Sequence, residues 1–417
     1  MMSPFRSSSE SHHSHTEGES FSEAFLHASS VRDSLPEQYR THFDELKNGI
    51  LAFCHEFEIP VETLKSKEDF GKHLTSKRIP QERMQEAVSL FERLEYLVTN
   101  REPLKEKLPE YLEEEERLYN LTEQYNAQVA LLEQAGILNE RNAIVGIDGK
   151  EYPVPTLEQI VERLYERREE LSVKRDQGFT KLLLVPFGMS LDALCKIFER
   201  FLLTYKRNHA DFDLKMHKPL DVWDQYRAAD RNKPPRIIYC PKFFNSDHQG
   251  QTKAQILEGH MTEADFFPGW TIHLFQPSDP MDLHSSGFIP LSRRKQGTVQ
   301  GDKILRPDFV ANQSSEEYLF TLQQAQEDKN SPYHHESGLT PEDWMMAFMT
   351  HLQETGQPLD DFKDGKSCAA ILVGSYFLSG FFVPCAAWDL TRDQARLSWI
   401  DPEKHLEDHN VRSSVIV

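Results

Sequence analysis

The chain of 417 residues has no tryptophan before Trp223; the other four are Trp270, Trp344, Trp388 and Trp399. Large aromatics supply much of the buried area of a compact mixed domain, so their absence from the first half argues for slender helices there. Cysteine is scarce as well. Cys54, Cys195, Cys240, Cys368 and Cys385 are odd in number and form no close pair, which excludes a disulfide framework and a paired-cysteine zinc site. No window of about 18 uninterrupted apolar residues exists, which argues against a membrane-spanning helix. The longest apolar stretch, residues 368–388, is broken by Gly374, Ser375, Ser379, Gly380 and Pro384. The first thirty residues lack the apolar core of a secretory signal, so a cytoplasmic location is expected. Positive charge is in deficit, with 47 basic against 67 acidic residues and a formal net charge of -20. Such a field repels phosphate backbones and anionic lipid, and neither nucleic acid nor a membrane is expected as partner. Gly-rich phosphate loops, Gly-x-Ser-x-Gly elbows and paired acid motifs are also absent, and no cofactor is expected.

What is present divides the chain in three. Residues 1–35 are rich in Ser, His and Glu, with His12, His13 and His15 close together, and have too few apolar groups to offset chain entropy. A disordered tail is expected there. From residue 36 to 176 the pattern is helical. Tyr39, Phe43, Leu46, Ile50, Phe53 and Phe57 recur at three- and four-residue steps, and Met84, Val88, Phe91, Leu94 and Leu97 repeat the pattern. A third stripe runs from Leu112 to Leu132, with Glu113 to Glu116 assigned to its solvated face. The spacing drifts from a strict heptad, so the arm reads as an antiparallel helical hairpin, coiled-coil-like in character. Near its end, residues 143–154 read as a β-hairpin closed on a two-residue Asp148-Gly149 turn.

Residues 177–417 alternate between strand and helix patterns. Thr156 with Gln159, Ser190, and Thr340-Pro341-Glu342-Asp343 mark helix starts, the last followed by Trp344, Met345, Phe348, Met349 and Leu352 at core spacing. Residues 277–315 read as long loops, and strands alone are expected after Gly365. The fold class is therefore α+β, a helical arm followed by a mixed globular domain.

Three groups of side chains have the composition of a chemical site. His334, His335 and Glu336 are the densest set of metal-ligand types and suit a zinc ion or an acid–base pair, though they lack His-Glu-x-x-His spacing. Asp247 and His248 combine with Cys240 as a Cys-His-Asp set. Arg293, Arg294 and Lys295 form a small basic cluster suited to one phosphate or an acidic partner. Against each stands the plainer reading, solvated or satisfied loop polarity, which such sets more often are.

The C-terminal 80 residues carry Gly374-Ser375-Tyr376, Val383-Pro384, Ala387-Trp388-Asp389, Ala395 to Trp399 and a closing Val411-Arg412-Ser413-Ser414-Val415. This order resembles C-type-lectin-like folds, including the branch of formylglycine-generating enzymes and the variable proteins of diversity-generating retroelements. The resemblance implies that Arg412 lies on a terminal strand paired near the domain's opening strand. It also implies that Trp388 and Trp399 are core aromatics. Gly269-Trp270-Thr271-Ile272 matches the family's opening motif only faintly. The calcium-binding tripeptides of lectins and the catalytic cysteines of the enzymes are missing, so neither activity carries over. As a whole the chain is similar to a bacterial protein family with a helical N-terminal region, through residues 180–192 (TKLLLVPFGMSLD) and 337–344 (SGLTPEDW). No activity comes with that likeness.

The function expected is that of a non-enzymatic binding or assembly protein. The arm serves self-association or docking to a protein partner, and the C-terminal domain recognises a ligand. The alternative is a metal-dependent or hydrolase-type enzyme using His334, His335 and Glu336, with Asp247 and His248 nearby.

Overall fold

The computed structural model describes residues 28–36, 39–57, 59, 79–100, 112–262, 267–279, 282–292, 304–362 and 368–417. Helices and several sheets share the chain, as the α+β class requires. It divides into two compact units, Met1–Lys107 and Leu108–Val417.

In the first unit, α1 (Ala28–Ser34), α2 (Arg40–Glu56) and α3 (Gln81–Asn100) close a core of their own. The apolar stripes supply it: Phe43, Leu46, Ile50 and Phe53 are buried with Phe91, Leu94 and Leu97. Gly49 packs on Leu90 while Glu56 pairs with Arg83, so α2 and α3 run antiparallel. One expectation is corrected: residues 28–34, assigned to a disordered tail, are helical. Arg32 donates to Asp44 of α2 at 2.8 Å, and Leu35 is buried in the same core. The rest of that tail, with its histidines, lies outside the described residues.

The second unit begins far earlier than the composition indicates. The expected arm ends near 176, whereas the division falls between Lys107 and Leu108. Helices α4 (Glu113–Tyr119) and α5 (Leu121–Ala135), separated at Asn120 by a left-handed φ of 50°, belong to the globular unit. Tyr119, Leu121 and Leu132 join one buried cluster with Trp270, Trp344 and Trp388. Glu115, assigned to a wet face, is buried. The physical reason is an exposed strand edge. Strand β3 (Lys181–Val185) ends a four-stranded antiparallel sheet of order β3-β6-β14-β7, with β6 at Thr271–Phe275, β7 at Glu336–Gly338 and β14 at Ser413–Ile416. Its free backbone groups need partners, and α5 supplies them through Gln124 and Gln128, one turn apart on one face.

Between the arm and β3, the hairpin β1 (Ala143–Val145) and β2 (Glu151–Pro153) forms where expected, but its turn is longer than two residues. The Gly149 N–H donates to Gly146 O, the Gly146 N–H donates to Lys150 O, and of the Asp148-Gly149 pair only Gly149 takes a positive φ, 80°. Helices α6 (Leu157–Glu166) and α7 (Arg168–Asp176) lead into β3, α6 through the Thr156–Gln159 capping box. Helix α8 (Leu191–Asn208) starts at Ser190.

A second sheet holds β13 (His409–Val411), β9 (Ala369–Ile371), β11 (Val383–Asp389), β12 (Gln394–Ile400) and β4 (Leu220–Val222) in that order, with β8 (Asp361–Phe362) also on β11. Strand β5 (Ile237–Tyr239) pairs with β10 (Ser375–Phe377). Helix α11 (Pro341–Thr355), capped by Thr340 and Asp343 and stopped at Gly356, packs on β3, β11 and α8. Two further α-helices lie among the described residues: α9 (Lys253–Thr262), and α10 (Ser315–Glu327), which begins where long loops were expected to end. The last strand, β14, lies between β6 and β7, with Val415 opposite both Leu274 and Glu336. Among the described residues no helix is long and apolar enough to cross a membrane.

Candidate functional site

A cavity of about 590 Å³ opens where β5, α9, β6, α10, β7 and the start of α11 converge. Its walls are apolar, built from Phe187, Trp270, Ile272, Leu319, Leu322 and Val373. Two glycines let its backbone close up. A Cβ at Gly338 would collide with Val373, and one at Gly374 with the carbonyl oxygen of Gly338, so β7 and the turn before β10 touch main chain to main chain.

Cys240 lines this cavity directly after β5, with a φ of 51° that side-chain-bearing residues rarely adopt. Its N–H donates to Gly374 O at 2.9 Å. The following loop is pinned at its neck, because Tyr239 and Gln251 exchange both backbone hydrogen bonds, at 2.8 and 2.9 Å. The thiol is open to the cavity yet ringed by protein. Burial, with the charge of Asp343 added, pushes it up to about 11, so it stays a neutral thiol at pH 7.

Opposite it, His273 and Asp343 form part of a buried chain. His273 Nε2–H donates to Asp343 Oδ1 at 3.0 Å, and the Ser414 hydroxyl donates to Nδ1 at 2.8 Å, the tautomer that a carboxylate on Nε2 selects. Serine, histidine and aspartate in series have the composition of a hydrolytic triad. Here the serine is fully buried and does not line the cavity, so the chain ties β14 to β6 and α11. Asp343 also accepts the Thr340 N–H on Oδ2 at 2.8 Å, which leaves each carboxylate oxygen one further lone pair. On α10, Leu319, Leu322, Gln323 and Gln326 present one helical face to the cavity. Gln323 Nε2 donates to Lys242 O and Gln326 Nε2 to Glu336 O, both at 2.7 Å, so each amide oxygen keeps its acceptor capacity.

The side chains singled out from the sequence are distributed differently. His334 Nδ1–H donates to Ala325 O at 2.7 Å, and His335 Nδ1 faces Glu170 at 3.1 Å. Glu336 turns inward, where Lys174, Arg306 and Ser413 fill both of its oxygens. The three therefore serve different partners, and among the described residues no three His, Cys, Asp or Glu side chains converge as a metal site. Asp247 is exposed in the loop beyond Cys240, and His248 Nδ1 accepts the Gly250 N–H at 3.0 Å. Cys240 shares the cavity lining with Asp343 and His273, whereas Asp247 and His248 are not part of it. Arg293 to Lys295 lie outside the described residues. His273 and Asp343 escaped the sequence reading because 70 residues separate them. Asp343 was visible only as a helix-capping acid.

No family model, curated protein or solved structure matches the chain.

Proposed function

We propose that the unit Leu108–Val417 is a non-enzymatic recognition module whose cavity takes one small, mostly apolar molecule carrying hydrogen-bond donors. The observation that carries this reading is the cavity itself. Its volume of about 590 Å³ lies in the range of small-molecule pockets. Apolar walls supply affinity, and the spare polar capacity is mainly acceptor: Asp343, Gln323 and Gln326. A thiol held neutral beside a carboxylate supports recognition over nucleophilic chemistry, which needs a thiolate. Among the described residues of the lining, Lys242 is the one exposed Lys or Arg, a poor match to a strongly anionic ligand. The helical unit before it, with its own core, suits the role of docking or self-association element.

Titration of the full chain with N-phenyl-1-naphthylamine, an apolar fluorophore with one N–H donor, tests the reading. Among the described residues a Cβ at Gly259, which lines the cavity, meets nothing within 4 Å, so Gly259→Trp is chosen to place a large ring in the cavity. Saturable one-to-one binding to the native chain and to Gly259→Ala, lost in Gly259→Trp, is expected. Equal fluorescence in all three proteins, or no saturation in any, overturns the assignment.

A further inference from the structure

Behind the cavity wall lies a constellation that ligand recognition does not use. Lys253, the first residue of α9, has a fully buried side chain, as do Asp230 and Glu342. Its ammonium meets Asp230 Oδ2 at 2.8 Å, Glu342 Oε1 at 2.6 Å and Met189 O at 2.7 Å. The rings of Phe187 and Tyr239 close over it, at 5.2 and 5.5 Å from Nζ. The Leu191 N–H, at the start of α8, donates to Asp230 Oδ2 at 2.8 Å, and the Tyr239 hydroxyl donates to Glu342 Oε1 at 2.7 Å. The other oxygen of each carboxyl, Asp230 Oδ1 and Glu342 Oε2, is buried without a hydrogen-bond partner among the described residues.

Two carboxylates and one ammonium leave an uncompensated negative charge in an apolar interior, which is costly. Burial raises the Glu342 carboxyl above the usual carboxylate range, against the pull of Lys253. Burial also opposes the charge on Lys253, but the two carboxyl groups outweigh it and hold the ammonium above the lysine range.

We propose that Lys253 and Asp230 condense into an intramolecular amide, with Glu342 carrying the proton. One proton passes from Nζ to Asp230 Oδ2 along their hydrogen bond, exchanging a buried ion pair for two neutral groups. The amine nitrogen then attacks Asp230 Cγ, and negative charge develops on Oδ1. Glu342 Oε1, which meets Nζ, takes a second proton from nitrogen and passes it to Oδ2. The Nζ–Cγ bond forms, the Cγ–Oδ2 bond breaks, the charge on Oδ1 collapses into the amide carbonyl, and Oδ2 leaves as water with the two protons that Nζ has lost. Glu342 ends in the state in which it began, and no oxidant or reductant enters. The bond closes residues 231–252 into a covalent loop and thereby fixes β5 and the Cys240 rim of the cavity.

Intact mass of the denatured, reduced full chain tests this directly. The native chain is expected to weigh one water less than its sequence, with the peptides bearing Asp230 and Lys253 joined. Glu342→Gln, which cannot relay the proton, is expected at its full sequence mass with those peptides separate. Full sequence mass in the native chain overturns the proposal, and this result does not depend on the variant folding. So does a water loss that maps to Asp148-Gly149, where a cyclic imide gives the same mass change.

Discussion

The carboxamide of Gln128 stands in for a missing strand beside Leu184. Leu184 N–H donates to Gln128 Oε1 at 2.7 Å, while Gln128 Nε2 donates to Leu182 O. One turn earlier Gln124 does the same, accepting Leu182 N–H at 2.8 Å and donating to Thr180 O at 3.0 Å. Both glutamines are buried, so no water replaces them. Gln128→Leu keeps the volume and strands one buried N–H and one C=O, at roughly 1–3 kcal/mol each. A loss of about 2–6 kcal/mol in chemical denaturation of the second unit is expected. A loss below about 0.5 kcal/mol would show that β3 needs no cover on that edge.

Glu336 makes the second unit acid-sensitive. Burial opposes its charge, but Arg306 and Lys174 outweigh burial and hold its carboxyl below the usual range. A folded-state value below the unfolded value of about 4.3 means that its contribution is complete above that pH and is lost as pH falls through the folded value. Glu336→Gln leaves two buried cations short of a partner and is expected to cost about 3–5 kcal/mol at pH 7. The difference between native and variant midpoints should narrow below about pH 4. A constant difference from pH 7 to pH 3 would contradict the assignment.

Cys240 should be slow to alkylate. With its thiol pushed up to about 11, little thiolate exists at pH 7. The iodoacetamide rate, read by peptide mass, is expected to be roughly 10–100-fold below that of a free thiol and to climb with pH through 9. A fast rate at pH 7 would return the thiol to the list of nucleophiles and favour the enzymatic alternative.

Gly259 lies within α9, and among the described residues a Cβ there would meet nothing within 4 Å. Gly259→Ala is expected to raise stability by about 0.5–1 kcal/mol through the helix entropy that glycine forfeits. A destabilised variant would mean that the cavity is narrower at this helix than the structure shows.

Local chemistry was the legible part of this chain. Thr340 to Asp343 specify a helix start by capping alone, and α11 begins there. The stripe from Phe43 to Phe53 likewise specifies a buried helix face. What failed was the inference from tryptophan to domain boundary. Helices α4 and α5 have charged outer faces and no tryptophan, yet they sit in the tryptophan-bearing core because a strand edge needs glutamines, and apolar counting ignores glutamines. Strand β4 escaped notice because three residues carry too little periodicity. Helix α10 was missed although Ser314 and Glu317 form a capping box, a signal legible in the sequence. The cavity was out of reach, since Cys240, His273 and Asp343 are joined only by tertiary packing.

Hydrogen exchange of the full chain, with and without saturating N-phenyl-1-naphthylamine, tests the recognition site most directly. Protection is expected in three segments far apart in sequence that line the cavity together, residues 239–242, 319–326 and 337–343. Protection elsewhere, or a uniform pattern with and without the fluorophore, would contradict it.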